Sequence, residues 1–196
     1  MESSDAGVRR TVLMVAVLAS FLAPFMGSAI NLALPRIGDH FRIDAVALSW
    51  VQTSFLLSAA VFLVPFGRLS DIWGRKKLFT IGMVVFSLAS TLAGLAFSPA
   101  VLIAARILQG LGSSMIFTNG MAILTSVFPP QERGRVLGWN VAAVYAGLSA
   151  GPFLGGFLTQ LLTWRSVFLV IVPPCLVVAA LMARLDEEWA DSRGES

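Results

Sequence analysis

The sequence predicts an all-α membrane protein of six transmembrane helices, and three observations predict it. Of 196 residues, 57% are hydrophobic and 13% charged. A soluble core does not need that much apolar material, and 14 Phe and 5 Trp with so few charges would not stay solvated as a disordered chain. The charges divide the chain into apolar stretches at 11–35, 45–67, 78–105, 107–131, 136–164 and 166–183, each close to or beyond the roughly 20 residues that cross a bilayer. Finally, Lys and Arg fall unevenly on the two sides that six crossings define, as expected when short basic loops are retained in the cytoplasm.

Residues 1–10 form a polar cytoplasmic N-terminus, and 11–35 the first helix, which is too long for a signal-peptide core and lacks a small-residue cleavage pattern. The second helix covers 46–66. Ser98-Pro99 separates a third helix, 78–97, from a fourth, 100–127, so that Arg106 lies inside a span. The fifth and sixth cover 136–161 and 166–183, which closes the 11–183 bundle and leaves 184–196 as a polar tail or the start of a linker. Arg9, Arg10, Arg68, Arg75, Lys76, Lys77, Arg133, Arg135, Arg184 and Arg193 share one side, against Arg36, Arg42 and Arg165 on the other. Both termini are therefore expected in the cytoplasm, with the chain in the plasma membrane. The basic balance is a matter of loops, so nucleic acid is not an expected partner.

Two segments point beyond a simple anchor. Gly67–Lys77, GRLSDIWGRKK, reads as a tight cytoplasmic loop. Gly67 and Gly74 permit close approach and positive dihedrals, while Asp71 can accept hydrogen bonds from helix N-termini and pair with a nearby Arg. Such a segment can latch two bundles together, although a basic loop with incidental glycines explains it too. In the fifth helix Ala143, Gly147, Gly151, Gly155 and Thr159 recur every four residues and make a smooth face that a neighbouring helix can approach closely, with Pro152 inviting a local bend.

These residues carry a resemblance. GRLSDIWGRKK is similar to the signature between helices two and three of the major facilitator superfamily, ARILQGLGSS (105–114) resembles its fourth-helix signature, and GLSAGPFLGG (147–156, with Pro152 and Gly156) resembles the fifth-helix signature of its antiporters. NLALPRI (31–37), LSWVQTSFLL (48–57) and WRSVFLVIVP (164–173) further resemble the 14-helix branch of drug:H⁺ antiporters. The resemblance implies two inverted three-helix repeats, which form the N-terminal bundle of a two-bundle transporter around a central cavity. It further implies multidrug efflux driven by a proton gradient with no bound cofactor, and a missing six- to eight-helix C-terminal half in cis. A second copy of the chain would take that place if the chain is complete.

Within this frame Arg106 is the first candidate for substrate or coupling work, since an intramembrane charge is retained mainly where it faces protein or water. Gln109 and Ser113 share its face. The alternative is that Arg106 snorkels to the headgroups. By resemblance, helices one and four line the cavity and offer Phe25, Met26, Asn31 and Asn119 beside these three. That mix suits amphiphilic small molecules better than sugars. Met26 stands where the branch usually has an aspartate, and no acid lies within an expected span: Asp39 and Asp44 fall in an outer loop, Asp71 and Glu132 in inner loops. A titrating carboxylate for proton coupling is thus expected from the other half. The resemblance also implies that Asp71 meets a helix end of that half and that Arg75 pairs with Glu132. His40 reads as a solvated loop residue, without a second His or Cys for a metal, and Cys175 as a small packing residue. No nucleophile–base pair or phosphate-binding loop is visible, so no enzyme activity is expected. The competing reading is a six-helix membrane protein that does not transport alone and serves as an assembly partner.

Overall fold

A computed structural model of the chain describes residues 2–185, with side chains from Gly7 onward. The elements are α1 (Glu2–Phe41), α2 (Ala45–Trp73), α3 (Arg75–Gly94), α4 (Pro99–Val127), α5 (Pro130–Leu161), α6 (Trp164–Leu169) and α7 (Val172–Ala183). Among the described residues, six helical spans are long and apolar enough to cross a membrane, with α6 and α7 forming one of them together. The part of the expected tail beyond residue 185 lies outside the described residues.

Helix ends are set by caps rather than by charges. Asp44 accepts the Ala47 N–H at 2.8 Å and Ser98 accepts that of Val101 at 3.3 Å, each satisfying a donor that the first helical turn leaves open. Pro99 and Pro130 stand in the first turns of α4 and α5, where the missing N–H costs nothing. Four expectations are corrected as a result. Gly67–Lys77 is helix and not loop, because α2 runs on to Trp73 and only Gly74 interrupts it. Gly74 has φ 94°, a conformation that favours glycine; its N–H reaches the Ser70 carbonyl at 3.1 Å and its carbonyl receives the Leu78 N–H at 3.2 Å. Asp39 and His40 belong to the last turn of α1, and Glu132 to the first turn of α5, where its charge complements the dipole. The sixth span breaks after Leu169, since Pro173 and Pro174 offer no N–H to the carbonyls four residues back and crowd them.

The packing places α1 against α5 and α4 against both α2 and α3. Gly147, Gly151 and Gly155 form the contact face on α5. A methyl group at Gly151 would run into Ser28 Oγ and lie 2.8 Å from the Phe25 carbonyl oxygen; one at Gly155 would lie 2.8 Å from Ala29 Cα. Gly110 and Gly112 do the same on α4, against Ser58 of α2 and Phe86 of α3. Pro152 leaves α5 a single helix. Small residues thus stand at the close approaches of α1 to α5 and of α4 to α2 and α3, which is how helices associate when lipid is as apolar as their side chains. By contrast, α2 and α5 carry exposed large side chains such as Leu57, Val64, Trp139 and Phe153.

Candidate functional site

Arg106 projects from α4 into the bundle with no exposed surface. Its Nε donates to the Val51 carbonyl at 2.9 Å, Nη1 to Gln109 Oε1 at 2.9 Å, and Nη2 to Gln52 Oε1 at 3.1 Å. The guanidinium carbon sits 4.3 Å from the centre of the Phe55 ring. The chain of bonds continues in both directions. Gln109 Nε2 donates to Ser90 Oγ at 2.8 Å, and Gln52 Nε2 to the Gly27 carbonyl at 3.3 Å. Helices α1 to α4 are therefore tied through one cation whose charge is met by carbonyl dipoles and an aromatic face. A buried charge is tolerated on those terms, since fixed dipoles replace the water it has lost. Snorkelling is excluded by the same geometry, because the head group is turned inward.

Beside this network opens a cavity of about 410 Å³. Asn31 of α1, Gln52 and Phe55 of α2, and Ser113 and Phe117 of α4 contribute to its wall, together with Leu148 of α5. Most of that wall is apolar, with amide and hydroxyl groups set singly into it. Such a surface binds through contact area and orients its ligand through a few polar anchors.

Of the seven residues read as substrate or coupling candidates, Asn31 and Ser113 line this cavity. Arg106 and Gln109 stand one layer behind it, screened by Gln52 and Phe55. Met26 and Asn119 are fully buried packing residues; the Asn119 Nδ2 donates to the Met115 carbonyl at 2.7 Å. Phe25 faces a different hollow, between α1, α5 and the break in the sixth span. Sequence reasoning missed Gln52 and Phe55. The available signal was the single amide of the second span, Gln52 within LSWVQTSFLL, a segment whose resemblance to the 14-helix branch points to no particular residue.

Of the latch candidates, Gly67, Asp71, Gly74 and Arg75 lie at the α2–α3 junction and Glu132 at the start of α5. Arg75 Nη2 approaches Asp71 Oδ1 at 3.5 Å, and Arg135 Nη2 approaches Glu132 Oε2 at 3.3 Å. Glu132 is thus engaged by its own helix in this structure. Asp71 keeps 54% of its side chain exposed, and Gly67 lies close to Thr118 of α4. Gly156, at the end of the fifth-helix series, meets only Leu32 at ordinary contact distance.

Residues 16–194 match the family model described as Major Facilitator Superfamily. Among curated relatives, the chain is 39% identical over 184 residues to the cephamycin export protein CmcT of Amycolatopsis lactamdurans, covering 93% of this chain and 38% of that protein. It is 36% identical over 191 residues to the multidrug resistance protein Stp of Mycobacterium tuberculosis, covering 95% of this chain and 35% of that protein. The chain therefore spans well under half the length of these relatives. Among solved structures, the proton:xylose symporter XylE superposes with a TM-score of 0.83 at 16% identity, over 93% of this chain and 46% of that one, a likeness of fold.

Proposed function

The chain belongs to the Major Facilitator Superfamily as a multi-pass membrane protein, and from that premise we propose that it is the N-terminal six-helix half of a secondary exporter of amphiphilic, drug-like molecules. The observation that carries the reading is the cavity at α1, α2 and α4: a broad apolar wall with the amides of Asn31 and Gln52 as anchors, backed by the cation of Arg106. An exporter of amphiphiles needs area and polarizable surface more than a dense set of hydrogen-bond partners. Relatives named for antibiotic export and multidrug resistance support the same substrate class.

The mechanism is alternating access, with this bundle rocking against a C-terminal half in cis. Gln52 links substrate to network, because a ligand group that takes its amide competes directly with Arg106 for Gln52 Oε1. Proton coupling requires a group that titrates between its two exposures, and a carboxylate of the other half serves that role, influenced by the Arg106 charge. Asp71 is the acceptor for a helix end of that half in the state closed to the cytoplasm. The bundle sits in the plasma membrane with its basic loops inward.

The test uses the full-length protein in everted membrane vesicles. Uptake of a fluorescent lipophilic cation driven by a pH gradient, and abolished by a protonophore, is the expected result. Equal dye levels with and without the protein would overturn the reading.

A further inference from the structure

Two hollows outside the central cavity lie along one seam of the bundle, where α1, α5 and the broken sixth span meet. The first is an apolar groove of about 340 Å³ floored by Phe21 and Phe25 of α1, walled by Leu154 and Phe157 of α5, and closed by Ile171 and Pro174 beside the break. The second is a polar recess of about 360 Å³ at the Phe41 end of α1, bounded by Arg36, Asp39, His40 and Arg165 with Thr159 and Thr163. Phe25 and Arg36 are 11 residues apart, which is three turns within about 20°, so both stand on one face of α1. Leu32, 47% exposed, lies on the way between them. Along the helix the separation is about 16 Å, and a bilayer leaflet is about 15 Å deep from headgroup boundary to midplane.

The recess is organised around Arg165. Its Nη2 donates to the Ala96 carbonyl at 3.0 Å and lies 3.2 Å from His40 Nε2, while the guanidinium stacks 4.4 Å over the Trp164 ring. Those contacts hold the fork in place at one wall, with Arg36 exposed at another. Arg36, Arg165 and Asp39 sum to one formal positive charge, which a headgroup of net charge minus one neutralises; a zwitterionic headgroup, neutral overall, would leave it uncompensated at the edge of the hydrocarbon.

We propose that this seam is a binding site for an anionic glycerophospholipid, with its phosphate between Arg36 and Arg165 and one acyl chain lying past Leu32 into the Phe25–Phe157 groove. Arg is suited to the head because its fork matches phosphate oxygens in pairs, and the groove supplies apolar area in line with it. The inference rests on the chain spanning a membrane and is independent of what the central cavity carries.

The full-length protein, purified in mild detergent and delipidated, is mixed with phosphatidylglycerol, phosphatidylcholine or soluble glycerol phosphate and examined by native mass spectrometry. Phosphatidylglycerol should be retained at one tightly held copy, at least tenfold above phosphatidylcholine, and excess glycerol phosphate should not displace it. Arg36→Gln, at an exposed position where folding is undisturbed, and Leu154→Trp, which fills the groove, should each cut retention at least fivefold with the melting temperature of the delipidated protein unchanged. Equal retention of the two lipids, retention unaffected by both variants, or displacement by glycerol phosphate would overturn the proposal. Dye efflux by the Arg36→Gln variant serves as the separate readout for transport.

Discussion

Arg106 concentrates the energetics of the bundle at one residue. Three donors reach three acceptors on two helices, and the ring of Phe55 covers the cation. Arg106→Lys keeps the charge but offers a single ammonium in place of a planar fork, leaving at least one buried acceptor unmatched at a cost of about 2 kcal/mol. The expected outcome is a melting temperature lowered by about 5 °C together with at least a tenfold loss of efflux; unchanged values for both would refute the hub role. Gln52→Leu should lower transport more than stability, because Gln52 faces the cavity as well as Arg106. A drop in melting temperature as large as that of Arg106→Lys, with efflux retained, would contradict this. That Arg106 turns into the bundle was legible in the sequence, since a charge inside a span stands out. Its partners were not. Gln52 lies 54 positions away on another helix, and no helical spacing relates the two.

Among the elements, the α1–α5 contact depends most sharply on single residues. The four-residue repeat of Gly147, Gly151 and Gly155 was visible as a face, and the structure supplies the partner that repeat alone could not name. A methyl at Gly151 meets backbone atoms of Phe25 and Ala29, which cannot turn aside as a flexible side chain would. Gly151→Ala should therefore destabilise the bundle by at least about 2 kcal/mol. Gly156→Ala, whose nearest neighbour is Leu32 at 3.7 Å, should stay within about 0.5 kcal/mol. Thermal unfolding of the two variants side by side checks this, and equal effects would contradict the close approach of α1 and α5. Helix ends were harder to read. Charges marked where spans leave the hydrocarbon, but a charged residue does not stop a helix, so α2 continues through Arg68 and Asp71 until Gly74 turns the chain. The prolines that break the sixth span were in plain view, yet an apolar stretch of the right length masked them.

For the molecule as a whole, the six spans and the family were carried by composition, charge placement and three signatures, because these depend only on what lipid and tight packing demand. The cavity wall was less legible, since it is assembled from helices far apart in sequence and depends on which face of each points inward. Asp71→Asn removes a charged acceptor from the proposed cytoplasmic latch and should shift the full-length protein toward its inward-open state, seen as a changed distance between spin labels on the two halves. An unchanged distance distribution with unchanged transport would remove the latch. Occupancy of the cavity beside Arg106 by amphiphiles can be read from substrate protection of a single cysteine at Asn31, in the full-length protein with its other cysteines replaced. Transported dye should slow alkylation of Asn31→Cys at least fivefold while leaving Leu32→Cys, on the seam face, unaffected. Alkylation of Asn31→Cys at the same rate with and without dye would contradict that occupancy.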